Sequence, residues 1–189
     1  RPADKAPEKE DDGGGEQALL DTDWPSFRGP QARGWAEGFA LPTSWNLESG
    51  ENVRWRATIP GLAHSSPIVH GQRIFVTTAM REGAEAELRV GLYGDPSPLQ
   101  DDGSYAFLAL CIDKRSGDLL WEQALWNGKP KHARHPKSSF AASTPATDGE
   151  HLVMNFGSEG LYCLNLDGEL LWQRDLGDLD PGPYNMQGV

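Results

Sequence analysis

Apolar and polar residues alternate with a period of two over short stretches of the chain. The alternation is clearest over residues 160–166, and residues 74–78 are filled with β-branched and aromatic side chains. Both features are typical of β-strands, whose successive side chains point to opposite faces of a sheet. Only residues 82–89 have a helical composition. The pattern therefore predicts an all-β protein built from short strands.

The predicted strands belong to a repeated unit. Residues 65–77 align with residues 143–155, and residues 110–121 align with residues 162–172. The turns within these units contain Asp, Asn and Gly, which suit tight hairpins. Four short strands that return after about 40–50 residues are typical of a propeller blade. A β-sandwich also has short strands, but it does not return the same unit ending in Trp. We therefore predict a β-propeller of four-stranded antiparallel blades.

The repeat also divides the chain into segments. From the amino terminus these are a tether at residues 1–23, a segment with one isolated outer strand at 24–61, a first blade at 62–126, a leading loop with a second blade at 127–177, and the start of a further blade at 178–189. The first blade carries an insertion at residues 79–106. Because two blades cannot close a ring, we expect an N-terminal partial propeller whose closing blade would use the isolated strand.

Composition and charge narrow the classes of partner. The net charge of −11 argues against nucleic acid, because phosphate binding requires a basic face, and against an anionic membrane surface. No apolar stretch approaches the roughly 20 residues needed to span a bilayer. Residues 1–23 hold eight acidic and three basic residues, which predicts a disordered tether. The chain begins at Arg1 rather than Met, so we expect that a leader has been removed.

Two of the units carry a resemblance to a known family. Residues 111–121 and 163–172 resemble the Trp-docking repeat of quinoprotein dehydrogenase propellers, the PQQ-like repeat family. They are also similar to the repeats of the BamB-type propeller of outer-membrane protein assembly. Residues 24–30 and 41–45 resemble the amino terminus of secreted PQQ-binding-like propeller proteins of planctomycetes and acidobacteria. The resemblance implies a parent that has eight blades, or alternatively seven, and that is exported to the periplasm or cell envelope.

Three tryptophans occupy the same position of successive units. Trp55, Trp121 and Trp172 each end an outer strand. From that position an indole can lie across the neighbouring blade and cover the seam between the two blades. Burial of a Trp side chain contributes on the order of several kcal/mol. We therefore expect these three residues to be structural and to dock one blade on the next.

The resemblance raises the question of catalysis. A quinone-dependent dehydrogenase needs a cation such as Ca²⁺, held by carboxylates and an amide, and an Asp as general base. Many such enzymes also carry two adjacent cysteines, whereas Cys111 and Cys163 occupy equivalent positions of successive blades. That spacing argues against a disulfide and favours buried packing residues. We predict no catalytic residue and no metal ligand in this chain, and we expect no cofactor.

The most chemically loaded stretch is residues 131–137, which precede a predicted inner strand at 138–144. Loops that lead into inner strands lie near the channel mouth, where propellers usually bind ligands. His64 lies at the corresponding position of the first blade. The candidate partner-binding residues are therefore His64, His132, Arg134, His135 and Lys137. The alternative is a solvated loop in which the cations pair with nearby acids. Two histidines three residues apart offer only two zinc ligands, so no metal site is predicted.

These observations favour a non-catalytic propeller of the cell envelope that binds protein or surface-polymer partners through its loops and channel mouth. One alternative is the N-terminal part of a PQQ-dependent alcohol or sugar dehydrogenase, which would require PQQ with Ca²⁺ and whose catalytic residues would lie in other blades. Another alternative is a sensor propeller appended to a further domain. In each case we expect the remaining blades of a parent chain to pack against this segment.

Overall fold

The computed structural model describes residues 4–5, 23–37, 41–88, 102–179 and 186–187. Within them the regular structure is β-sheet, apart from two short 3₁₀ turns at Pro30–Ala32 and Gly157–Glu159. The strands are β1 Asp4–Lys5, β2 Trp55–Arg56, β3 Ile68–His70, β4 Arg73–Arg81, β5 Tyr105–Asp113, β6 Leu119–Gly128, β7 Ala133–Arg134, β8 Ala146–Thr147, β9 His151–Asn155, β10 Leu161–Asn165, β11 Leu170–Arg174 and β12 Met186–Gln187.

The first blade is an antiparallel meander in the order β3-β4-β5-β6. Its register places Phe75 opposite Cys111, and Cys111 opposite Trp121. The β5–β6 pair contains two register shifts, which bend and twist the outer strand. β4 ends at Arg81 and β5 begins at Tyr105, so residues 82–104, within the predicted insertion, connect these two strands.

The second blade repeats this arrangement in the order β8-β9-β10-β11. Val153 lies opposite Cys163, and Cys163 lies opposite Trp172, so the pairing of the first blade returns. A register shift again separates the Cys from the following residue. The predicted fold class is confirmed, since both sheets are four-stranded antiparallel blades with the predicted strand order.

The core lies between the two sheets. Phe107 stacks on Phe140 and on Phe156, with ring centroids 5.6 and 5.1 Å apart. Trp126 approaches the same ring at 4.8 Å. Because the inward faces of β4 and β5 carry apolar side chains that meet Leu152 and its neighbours on the second blade, one cluster of buried residues spans both blades. Each large apolar side chain buried there contributes about 1.5–3 kcal/mol.

Two indoles dock in the same way, one from β2 onto the first blade and one from the first blade onto the second. Trp55 Nε1 donates to the carbonyl of Lys114 at 3.0 Å, and its ring lies against Gly117. Trp121 Nε1 donates to the carbonyl of Leu166 at 3.1 Å, and its ring lies against Gly168. Both glycines have positive φ, and a Cβ on either would lie within 3 Å of the indole. The docking therefore requires glycine in the turn that receives the ring.

One local prediction was wrong, namely the inner strand at residues 138–144. The inner strand of the second blade is β8, which begins only after Pro145. The carbonyl of Ala141 instead accepts hydrogen bonds from the main-chain N–H groups of His64 and Ser65. Because this stretch bonds to the segment that precedes β3 rather than to β9, it forms a loop.

The ends of the described chain make two short pairings. β1 pairs antiparallel with β2, and β12 pairs in parallel with β7. The isolated outer strand thus receives a partner from within the segment predicted as a tether. Most of that segment, and most of residues 178–189, lie outside the described residues.

Candidate functional site

The loops that lead into the inner strands of the two blades lie side by side and are joined by hydrogen bonds. The N–H groups of His64 and Ser65 donate to Ala141 O at 3.2 and 3.0 Å. The N–H of Ser66 donates to Thr144 Oγ1 at 3.0 Å. We call these two loops, residues 64–66 and 135–144, the loop rim. Since the contacts are largely between main-chain groups, the rim is held as one unit.

Three of the sequence-predicted residues lie on the loop rim. The side chain of His64 is exposed, and those of His135 and Lys137 are half-buried. His135 Nδ1 accepts the N–H of Lys137 at 3.1 Å, and His135 O accepts the N–H of Ser138 at 3.0 Å. This tight turn fixes the direction of the imidazole relative to the backbone. The rim therefore presents nitrogen groups from both blades.

Arg134 does not share this surface, because it is buried to 1% exposure. Its Nη1 donates to Ser138 O at 2.9 Å and its Nη2 donates to Glu87 O. Arg134, which the sequence suggested as a partner-binding residue or as a cation of a solvated loop, thus makes buried contacts with main-chain carbonyls. Its guanidinium instead connects the insertion of the first blade to the loop that follows β7.

His132 lies in a second cluster, which we call the exit clasp and which holds residues 175–179 against residues 131–132 and 157–159. His132 Nε2 pairs with Asp178. Lys131 Nζ contacts Ser158 O at 2.7 Å and Asp175 Oδ1 at 3.5 Å. The N–H of Leu179 donates to Ser158 Oγ at 3.1 Å. His132 is therefore engaged in joining the chain that leads into the second blade to the chain that leaves it.

A buried carboxyl group completes the exit clasp. Glu159 is 5% exposed, and its Oε1 accepts the main-chain N–H of Lys131 at 2.8 Å. Burial raises the pKa of Glu159 above its ordinary value. Burial also raises the pKa of Tyr162, whose hydroxyl donates to Glu159 O. In contrast, the N–H of Gly177 and the nearby Lys131 lower the pKa of Asp175.

The amino-terminal segment contributes a contact that the repeat pattern does not predict. Trp24 and Val69 exchange two main-chain hydrogen bonds of 2.8 and 2.9 Å on the free edge of β3. Pro25 O accepts the N–H of Thr147 in β8 at 2.9 Å. Asp23 accepts the N–H of Gly71 at 2.7 Å. This segment thus straps the inner edges of both blades. The resemblance carried by residues 24–30 marks this segment in the sequence, but it does not predict which strands the segment contacts.

Comparison with known proteins decides the family. A PQQ-repeat family model described as outer membrane protein assembly factor BamB matches residues 35–186, which include both blades. The chain belongs to this family. No curated protein matches it. Among the described residues, no helix has the length and apolar character needed to cross a membrane.

The family raises the question of a quinone and its metal ion. Within the described ranges, no three His, Cys, Asp or Glu side chains are grouped as metal ligands. The loop rim offers imidazole and ammonium nitrogens, whereas Ca²⁺ takes carboxylate and carbonyl oxygens. The rim residues therefore do not fit a calcium–quinone pair. Cys111 and Cys163 are both free and buried, as predicted, and burial raises the pKa of Cys111 to about 12.

Proposed function

We propose that this chain is a non-catalytic β-propeller module of the cell envelope that binds a protein partner at the loop rim. The observation that carries the proposal is the set of main-chain hydrogen bonds that join the two loops, with Ala141 O at their centre. These bonds hold groups from two blades on one surface before any partner arrives. Such preorganisation reduces the entropy lost on binding.

The chemistry of the rim favours an acidic segment of the partner. His64 and His135 supply imidazole hydrogen-bonding groups, and Lys137 supplies a positive charge, in a chain whose formal charge is −11 with His counted as neutral. A cationic surface on an acidic protein attracts a partner with a local negative patch and repels partners that are basic at the same place. The family's description names an outer membrane protein assembly factor, which supports protein partners and an envelope location.

Site-specific photocrosslinking tests the proposal. A photoreactive residue at position 137 is compared with one at Glu122, which is exposed on the outer strand β6. The chain is produced in the envelope of a bacterial host, and its adducts are identified by mass spectrometry. We expect a defined protein adduct at position 137 that an untagged copy of the chain competes away. The same adducts at both positions, or none at position 137, would refute the proposal.

Substitution then tests the charge argument. Lys137→Glu reverses the charge at the rim, whereas Lys129→Glu reverses a charge that pairs with Asp102 at 2.7 Å outside the rim. We expect only Lys137→Glu to reduce the yield of the adduct formed from a photoreactive residue at His64. Equal reductions would assign the effect to net charge instead of the rim.

A quinoprotein function is the second candidate, because the repeat family includes PQQ in its name. The chain is incubated with PQQ and Ca²⁺, and dye-linked oxidation of alcohols and sugars is followed. We expect no dye reduction above that of PQQ and Ca²⁺ without protein. Oxidation that requires both the chain and the quinone would replace the binding proposal.

A further inference from the structure

The guanidinium of Arg134 is buried without a counter-charge among the described residues. Its two terminal nitrogens donate to the main-chain carbonyls of Ser138 and Glu87. Its Nε has no acceptor in the part of the chain that the structure describes. Buried charges in proteins are normally paired, because removing an ion from water is costly unless an opposite charge faces it. Carbonyl dipoles reduce that cost, but they carry no net negative charge.

We propose that Arg134 is the receptor of a carboxylate-binding site between the loop after β7 and the start of the first blade's insertion. Nε lies on an edge of the planar guanidinium, and such an edge matches the two oxygens of a carboxylate. One negative charge balances the guanidinium. A divalent phosphate or sulfate would place a second negative charge beside the carbonyl oxygens of Ser138 and Glu87. The site therefore takes a monoanionic carboxylate.

The residues around Arg134 give the ligand a route of approach. Glu87 is exposed, and His135, Lys137 and Ser138 are half-buried at the rim, whereas Pro136 between them is buried. Because Nε itself is buried, the proposal requires one of these two segments to shift when the carboxylate enters. The inference does not rest on the proposed function, because a free carboxylate is enough to fill the site. Arg134 is too buried to contact a partner protein at the surface, but in this proposal it binds a small carboxylate.

Thermal unfolding in acetate tests the site. The melting temperature of the chain is measured in increasing sodium acetate and in sodium chloride of the same ionic strength. A ligand that binds only the folded state raises the melting temperature in a concentration-dependent way. We expect this rise in the wild type and in Lys129→Met, which removes an exposed cation. We expect none in Arg134→Met. Equal effects of acetate and chloride in the wild type would overturn the proposal.

Nuclear magnetic resonance of the wild type keeps the proposal testable if Arg134→Met does not fold. We expect acetate, but not sulfate, to move the Nε–H resonance of Arg134. An Nε–H resonance that stays fixed in acetate would overturn the proposal.

Discussion

Replacing Trp121 by alanine removes the indole that joins the two blades, and the same change at Trp172 supplies a matched control. Each is the third residue of its outer strand, β6 or β11, and not the last residue as the sequence suggested, and each lies opposite an equivalent cysteine. Trp121 docks on the turn at Gly168, whereas Trp172 is 41% exposed and no turn of the described chain receives it. The difference between the two variants therefore isolates the docking contact from packing inside a blade.

The magnitude follows from the contacts of Trp121. Full burial of a Trp would give a loss of about 3–5 kcal/mol on truncation, and the partial exposure of Trp121 lowers this to about 2–3 kcal/mol. The lost hydrogen bond adds about 0.5–1 kcal/mol, at the low end because Arg73 still donates to Leu166 O. We expect a total loss of about 2.5–4 kcal/mol for Trp121→Ala. For Trp172→Ala we expect about 1 kcal/mol, because its ring is less buried.

Urea unfolding followed by far-ultraviolet circular dichroism measures these losses without relying on tryptophan fluorescence. In a domain of this size each kcal/mol corresponds to about 2–4 °C in melting temperature, so Trp121→Ala should melt about 5–15 °C lower. Trp121→Phe, which keeps most of the ring contact with Phe75, should lose only about 1–1.5 kcal/mol. Equal losses from Trp121→Ala and Trp172→Ala would refute the docking argument.

Turn glycines, a buried thiol and a buried carboxyl group carry the remaining predictions. Gly117→Ala should lower the free energy of unfolding by more than about 2 kcal/mol, because its Cβ would lie 2.5 Å from the Trp55 ring. Gly71→Ala places its Cβ in open space, so it should lose only about 1 kcal/mol, the cost of positive φ alone. Urea unfolding midpoints of the two variants test this difference. Cys111 should resist iodoacetamide at about pH 8 until urea is added, as intact mass would show, because burial raises its pKa to about 12. Burial raises the pKa of Glu159, so the folded state keeps a proton that the unfolded state loses, and stability from this group falls as pH rises from 4.5. Glu159→Gln should flatten that fall in urea midpoints measured across this range, and an unchanged slope would contradict the assignment.

The blades were predictable because the repeat encodes them locally. The Cys and Trp of each unit are about ten residues apart, and the hairpins between them depend on turn residues that can be read directly. The docking role of Trp121 also followed from its position, but its acceptor did not. The acceptor, Leu166 O, lies 45 residues further along the chain, and it is close to the indole only because the two sheets pack against each other.

The candidate site was less predictable, because it depends on contacts between distant segments. The sequence of residues 131–137 shows several basic or imidazole side chains, but not which of them face solvent. The guanidinium of Arg134 donates to the carbonyl of Glu87, which lies 47 residues earlier in the chain. His132 pairs with Asp178, 46 residues later, and therefore belongs to the exit clasp and not to the loop rim. A local charge pattern carries no information about either partner.

The indole docking also sets the order in which a growing chain can be completed. The carbonyl that accepts the hydrogen bond of Trp55 lies 59 residues later in the chain, and the one that accepts from Trp121 lies 45 residues later. Within the described chain, each of these two docking indoles therefore receives its acceptor from a segment that is made after it. During synthesis, the blade face that still lacks its neighbour is thus found one blade further along the nascent chain each time a blade is completed. Until its acceptor is made, the indole of the most recently completed outer strand is exposed to chaperones and to other nascent chains.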